Sequence, residues 1–135
     1  MLELIQYTPT TPTVHATPIV IFPPWINKFY IMDLKPENSL IRWIVDQGYT
    51  LFVVSWVNPD ASYRDVGMGD YIEDGYLTVF REIKAITAQP QINAVGYCIA
   101  GTTLSMTLAL LNDSSPRTAA TTLRTPTRTS CPRPA

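Results

Sequence analysis

The chain has 135 residues, 46% of them hydrophobic and 16% charged, which suits one globular domain or part of one. A net charge of −1 excludes the electrostatic footprint of a nucleic-acid binder or of a protein drawn to an anionic surface. Two cysteines, Cys98 and Cys131, are too few for a disulfide framework or a zinc spacing, so a reducing, cytoplasmic setting is expected.

The opening "MLELIQYTPTTPT" has neither a basic start nor an apolar h-region and does not read as a signal peptide. Residues 2–7 are a candidate edge strand, followed by an extended Pro/Thr connector, "TPTTPTVHATP". "PIVIF" is a short all-apolar run with β-branched residues, the pattern of a buried parallel strand. A proline-punctuated loop, "PPWINKFYIMDLKPE", leads to "NSLIRWIVDQG". There Asn38 or Ser39 is the N-cap, Leu40, Ile41, Ile44 and Val45 form the apolar face, and Gly48 is the stop.

"YTLFVVSW" is the next strand and "VNPDASYRDVGMG" the next loop. Asp70 then caps a longer helix whose Ile72, Tyr76, Val79, Phe80 and Ile83 share one face and which ends near Pro90. "INAVG" is a third core strand, and residues 102–111 a third helix. Apolar strands alternating with helices place the chain in the α/β class, as a parallel sheet with helices on both faces and right-handed crossovers.

No charge occurs between Lys84 and Asp113, and residues 94–111 are long enough to span a bilayer. Gly96, Gly101, Thr102, Thr103, Ser105 and Thr107 make that run a poor span, and a buried strand, turn and helix explains the same apolarity. Residues 1–111 carry 6 Lys+Arg and 10 Asp+Glu, whereas residues 112–135 carry 4 Arg and a single Asp. That tail has one large aliphatic residue, Leu123, too little apolar surface to offset its ordering entropy, so residues 112–135 are expected to be disordered. Its Thr/Pro/Arg bias, starting abruptly, reads as a coding sequence translated out of frame rather than as a basic binding arm.

The chemistry concentrates at Gly96-Tyr97-Cys98-Ile99-Ala100-Gly101. A strand, a tight turn and a helix with the pattern Gly-x-nucleophile-x-small is the setting of a nucleophile elbow. Cys98 then stands at a helix N-terminus, whose dipole favours a thiolate, and the N–H of Ile99 faces the oxyanion of a tetrahedral intermediate. A second oxyanion donor normally comes from the loop after an earlier strand; here that loop is "PPWINKFY" and the backbone N–H of Ile26 is the candidate. The competing reading of Cys98 is a buried small hydrophobe.

Four strings, "PPWINKFYIMDLKPENS", "GYTLFVVSWVNPD", "DYIEDGYL" and "GYCIAGTTL", together closely resemble the polyhydroxyalkanoate synthases, the bacterial poly(3-hydroxybutyrate) polymerases. The resemblance runs over residues 2–111, and the tail from Asn112 matches nothing in that family. It implies a partial α/β-hydrolase fold over residues 1–111, with Cys98 as the acyl-accepting thiol and Ile99 as an oxyanion donor. It also implies 3-hydroxyacyl-coenzyme A as substrate, a growing polyester chain as acceptor, and no metal or further cofactor. Family members act as dimers on cytoplasmic polyester granules, so those partners and that location are expected.

The family's triad needs a His and an Asp, which in α/β-hydrolases follow the nucleophile in the chain. After Cys98 the sequence has no His and one acid, Asp113, about 20 Å away if the helix is continuous. The single histidine, His15, precedes the first core strand and reads as a surface loop residue. Asn27, Lys28 and Asp33 lie in the loop facing the expected site, and such loop residues are more often turn-forming than functional. Trp25, Trp43 and Trp56 read as packing, and Glu73 with Asp74 as a solvated helix face. The expectation is therefore a synthase fragment that is inactive alone. The alternatives are a cysteine-box esterase or thioesterase of the same fold, and a non-enzymatic stub that binds full-length synthase or granules.

Overall fold

A computed structural model describes residues 1–114. Strand β1 (Leu2–Tyr7) is followed by β2 (Ile19–Phe22), helix α1 (Leu40–Asp46) and β3 (Leu51–Trp56). A short turn α2 (Met68–Asp70) runs into a π-helical segment (Tyr71–Leu77) and then α3 (Thr78–Thr87), β4 (Asn93–Gly96) and α4 (Ile99–Ser114). The four strands form one sheet in the order β1-β3-β2-β4. No helix among the described residues is long and apolar enough to cross a membrane.

The α/β class follows from alternation within the strands. Leu51 and Val53 of β3 and Ile21 of β2 face α1, where Ile41 and Val45 cover them. Phe52, Val54 and Trp56 of β3, with Val20 and Phe22 of β2, face Tyr76, Val79, Ile83, Ala100 and Leu104. Phe22, Phe52, Val20 and Val54 are completely buried, each contributing roughly 1.5–3 kcal/mol of transfer free energy. The face assigned to the long helix, Ile72, Tyr76, Val79, Phe80 and Ile83, does turn toward the sheet.

The expected all-parallel sheet is mixed. β2, β3 and β4 are parallel, but β1 pairs antiparallel with β3. Tyr7 and Ile19 both lie level with Leu51, on opposite sides of β3, so the Pro/Thr connector stays at one end of the sheet. A parallel pairing would need a connection running the length of the sheet, and the connector contains no crossover helix.

Local boundaries differ where capping decides them. Ser39, not Asn38, caps α1, its hydroxyl accepting the Arg42 N–H at 2.8 Å. Asp70 is not an N-cap: its carboxylate accepts the Gly67 N–H at 2.7 Å from the first turn of α2. The long helix ends at Thr87 because Ala88 turns left-handed, φ 54°. Its first part is π-wound, with Thr78 Oγ1 donating to Glu73 O at 3.1 Å. Leu40 and Trp43 are exposed, so neither packs the core, because α1 is short and only Ile41 and Val45 are buried on it. Helix α4 begins earlier than expected and reaches Ser114, so residues 112–114 are helical; the rest of the tail, with Cys131, lies outside the described residues.

Candidate active site

The chain reverses direction across the sheet. From β2 it passes over α1 to β3 on one side; from β3 it crosses back over β2 to β4 on the other face. With one crossover hand, that reversal puts the helices following β2 and β4 on opposite faces, the topology in which open α/β sheets bind ligands at the carboxyl ends of such strands. Phe22 is the register partner of Gly96, so Pro23 and Tyr97 leave the sheet side by side. Cys98 is the next residue of the β4 turn, and the loop with Ile26 leaves β2 beside it.

Cys98 adopts a left-handed backbone, φ 56°, which an L-residue with a Cβ enters at a cost of about 1–2 kcal/mol. Its carbonyl accepts the Gly101 N–H at 3.0 Å, which closes the turn. A Cβ on Gly96 would lie 2.8 Å from Ala100 O, and one on Gly101 would lie 2.9 Å from Gly96 O. Ala100 itself is fully buried. The small residues at positions 96, 100 and 101 are therefore required because α4 crosses the end of β4 in direct backbone contact. Cys98 is a free, exposed thiol, which removes the buried-hydrophobe reading. Ile99 opens α4, so its N–H has no intrahelical acceptor.

On the β2 side, Pro23 and Pro24 are buried and a turn is closed by Asn27 N–H to Pro24 O at 3.1 Å. Ile26 occupies that turn with its side chain 77% exposed and its N–H outside the backbone bonds that hold the loop. The indole Nε1–H of buried Trp56 donates to Pro23 O at 2.7 Å. Trp25 stacks on Tyr71 at 4.7 Å and meets Trp56 edge-on at 6.4 Å. Trp25 and Trp56 are packing residues, as expected.

The other residues singled out in the loop hold structure. Lys28 Nζ donates to Asn58 Oδ1, tying the loops after β2 and β3. Asp33 accepts from Ser39 Oγ at 2.6 Å and from Tyr7 Oη at 3.4 Å, which anchors the loop to the cap of α1. Tyr7 is raised in pKa by burial first and then by the Asp33 charge. Glu73 and Asp74 are exposed. The backbone N–H of His15 donates to Gly48 O at 2.8 Å and its ring stacks on Tyr49 at 4.4 Å, at the amino ends of β2 and β3. It therefore lies beyond the opposite end of the sheet from Cys98. Asp113 is exposed near the far end of α4. Among the described residues no cluster of His, Cys, Asp or Glu could hold a metal ion.

Sequence reasoning missed two tyrosines. Tyr76 Oη donates to Ala100 O at 3.0 Å, within the first turn after Cys98. The Tyr97 hydroxyl is buried without a protein partner, and its pKa is raised by burial and then by Cys98. A helical stripe in the sequence marks Tyr76 as apolar core and carries no sign of its hydroxyl; the variable second position of the elbow gives no sign of Tyr97.

A sequence profile described as the N-terminus of poly-beta-hydroxybutyrate polymerase matches residues 1–44. The poly(3-hydroxyalkanoate) polymerase of Methylorubrum extorquens is 52% identical over 109 residues, which is 81% of this chain and 18% of the relative. Over the matched residues the chain is homologous to poly(3-hydroxyalkanoate) polymerases. The polymerase subunit of Cupriavidus necator is 48% identical over 109 residues, again 81% of this chain and 18% of the relative. That of Rhizobium etli is 49% identical over 108 residues, or 80% and 17%. The chain thus spans less than a fifth of the length of these polymerases, and the resemblance seen in four short strings extends across most of β1 to α4.

Proposed function

We propose that this chain carries the nucleophile segment of a polyhydroxyalkanoate synthase, an acyltransferase of the α/β-hydrolase fold, and that it does not turn over alone. The observation that carries the reading is the exposed Cys98 at φ 56°, on a strand–turn–helix bend where Gly96 and Gly101 let α4 touch β4. In this reading Cys98 attacks the carbonyl of a 3-hydroxyacyl-coenzyme A thioester. A new carbon–sulfur bond forms, the bond to coenzyme A breaks, and the departing thiolate takes its proton from solvent. The backbone N–H groups of Ile99 and Ile26 stabilise the tetrahedral oxyanion. Thioester exchange is nearly balanced in energy, so the acyl group stays available for a chain-end hydroxyl on a growing polyester, at a cytoplasmic granule surface and in a dimer.

Passing the acyl group to that hydroxyl needs a general base. The sequence has one histidine, and His15 sits at the wrong end of the sheet. The test is incubation of the purified chain with 3-hydroxybutyryl-coenzyme A while released thiol is followed. The expected result is at most one equivalent of coenzyme A per chain, abolished by Cys98→Ala, with no polymer. Release that survives Cys98→Ala refutes the nucleophile; sustained polymer formation refutes the inactivity. Steady release of free 3-hydroxybutyrate favours the esterase or thioesterase alternative.

One observation supports a non-enzymatic second reading, a stub that binds full-length polymerase. β4 is an edge strand without charge, beside a largely apolar groove of about 370 Å³ between α3 and α4 lined by Phe80, Ile92, Leu108 and Leu111, with Arg81 and Lys84 also in its wall. Co-purification with a polymerase that is indifferent to Cys98→Ala would favour it.

A further inference from the structure

A seven-residue π-helical run is rare, and such segments concentrate at functional sites. Here the run Tyr71–Leu77 touches both the loop after β2, through Tyr71 stacked on Trp25, and the first turn of α4, through the Tyr76 hydrogen bond to Ala100. A wider helical turn narrows the angle between successive side chains, so the neighbours Gly75 and Tyr76 are both buried against the sheet. Tyr76 is fully buried and stacks on Phe22 at 4.1 Å, beneath the paired ends of β2 and β4. From there its hydroxyl reaches Ala100 O, two residues beyond Cys98. Gly75 lies against the indole of Trp56, where an added Cβ would stand 3.1 and 3.2 Å from ring carbons. That indole holds Pro23 O, three residues before Ile26.

We infer that the π-helical segment is a bracket that sets the elbow and the oxyanion loop in register, with Tyr76 as the positioning residue for the Cys98 turn and Trp56 for the Ile26 loop. The inference rests on the reading of Cys98 as acyl acceptor. One hydrogen bond of this segment, Tyr76 to Ala100, and its Gly75 contact with the β3 residue Trp56, whose indole holds Pro23, then fix the distance between the thiol and its second oxyanion donor. Alkylation of a thiol needs no oxyanion donor, whereas acylation does. A positioning role is therefore separable from a merely structural one by comparing the two reactions.

The experiment uses the full chain and measures Cys98 acylation by 4-nitrophenyl butyrate in single turnover, with nitrophenolate as the leaving group. Cys98 alkylation by iodoacetamide and the melting temperature are measured alongside. Tyr76→Phe keeps the ring stack and removes the donor; Trp56→Phe removes the other donor. Each is expected to slow acylation about tenfold while alkylation stays within about twofold. An unchanged ratio of the two rates in both variants, or a parallel fall of both rates with stability, overturns the inference. A parent chain that is alkylated at Cys98 but never acylated overturns the acyl-acceptor reading itself, and the inference with it.

Discussion

The close crossing of α4 over β4 is tested most directly at Gly96. A Cβ there would stand 2.8 Å from Ala100 O, 2.9 Å from Ala100 C and 3.0 Å from the Cα of Gly101. Ordinary Cβ contacts begin near 3.4 Å, so Gly96→Ala requires α4 to move by about half an ångström. All three neighbours are backbone atoms, and no rotamer change can relieve them. Overpacking of this kind costs about 1–3 kcal/mol, and the absence of a side-chain escape puts Gly96→Ala in the upper half of that range. For a domain of this size roughly 2 kcal/mol lowers the melting temperature by about 10 °C. Gly69→Ala is the control: nothing lies within 4 Å of its Cβ position and it sits within helix α2, so exchange should be neutral or stabilise by up to about 1 kcal/mol. Urea and thermal unfolding followed by circular dichroism compare the two. A Gly96→Ala chain within about 0.5 kcal/mol of the parent would refute the close-contact account of the elbow.

Two further outcomes follow from the same geometry. Cys98→Gly should be more stable than Cys98→Ala by about 0.5–1 kcal/mol in urea unfolding, because the relief of a left-handed residue exceeds the added chain entropy of Gly; equal stabilities would deny strain at the turn. The pKa of Tyr76 is raised by burial, so the unfolded chain loses that proton first as pH climbs. Its contribution is complete below about pH 10 and is lost as pH rises from there toward the folded value. Urea midpoints above pH 10 should therefore fall less steeply in Tyr76→Phe than in the parent, and parallel curves would contradict this.

The sequence made β2 and β3 legible because their residues are apolar in nearly unbroken runs, the pattern of strands covered on both faces, whereas β4, read as a core strand, is an edge strand with Val95 47% exposed. The elbow was legible for a different reason: Gly96, Ala100 and Gly101 record a backbone approach, and small residues at fixed spacing write such an approach into the chain directly. What was hidden depends on partners distant in sequence. The antiparallel sense of β1 follows from where its connector ends, not from the composition of residues 2–7. The π-winding of residues 71–77 leaves the apolar stripe intact, so Ile72, Tyr76 and Val79 satisfy an α-helical template equally well. Trp43 looked like core and is exposed, since a seven-residue helix buries only a narrow stripe.

The strained presentation of the thiol is built within two adjacent strands, one turn and the first turn of α4, all of it contained in the described residues. Backbone strain of this kind persists only where surrounding structure over-determines it. Here the register of Phe22 with Gly96, the contact of Gly96 with Ala100 and the Tyr76 hydrogen bond each restrain the same turn. Acid–base chemistry makes a separate demand, because a base must come within hydrogen-bond reach of the nucleophile from another part of the fold. His15, the one histidine of the sequence, is anchored to Gly48 and Tyr49 at the amino ends of the strands, with the sheet between it and Cys98. On the proposed reading, a thiol held this way would accept an acyl group, and the described residues place no base where it could activate the hydroxyl that would receive that group next.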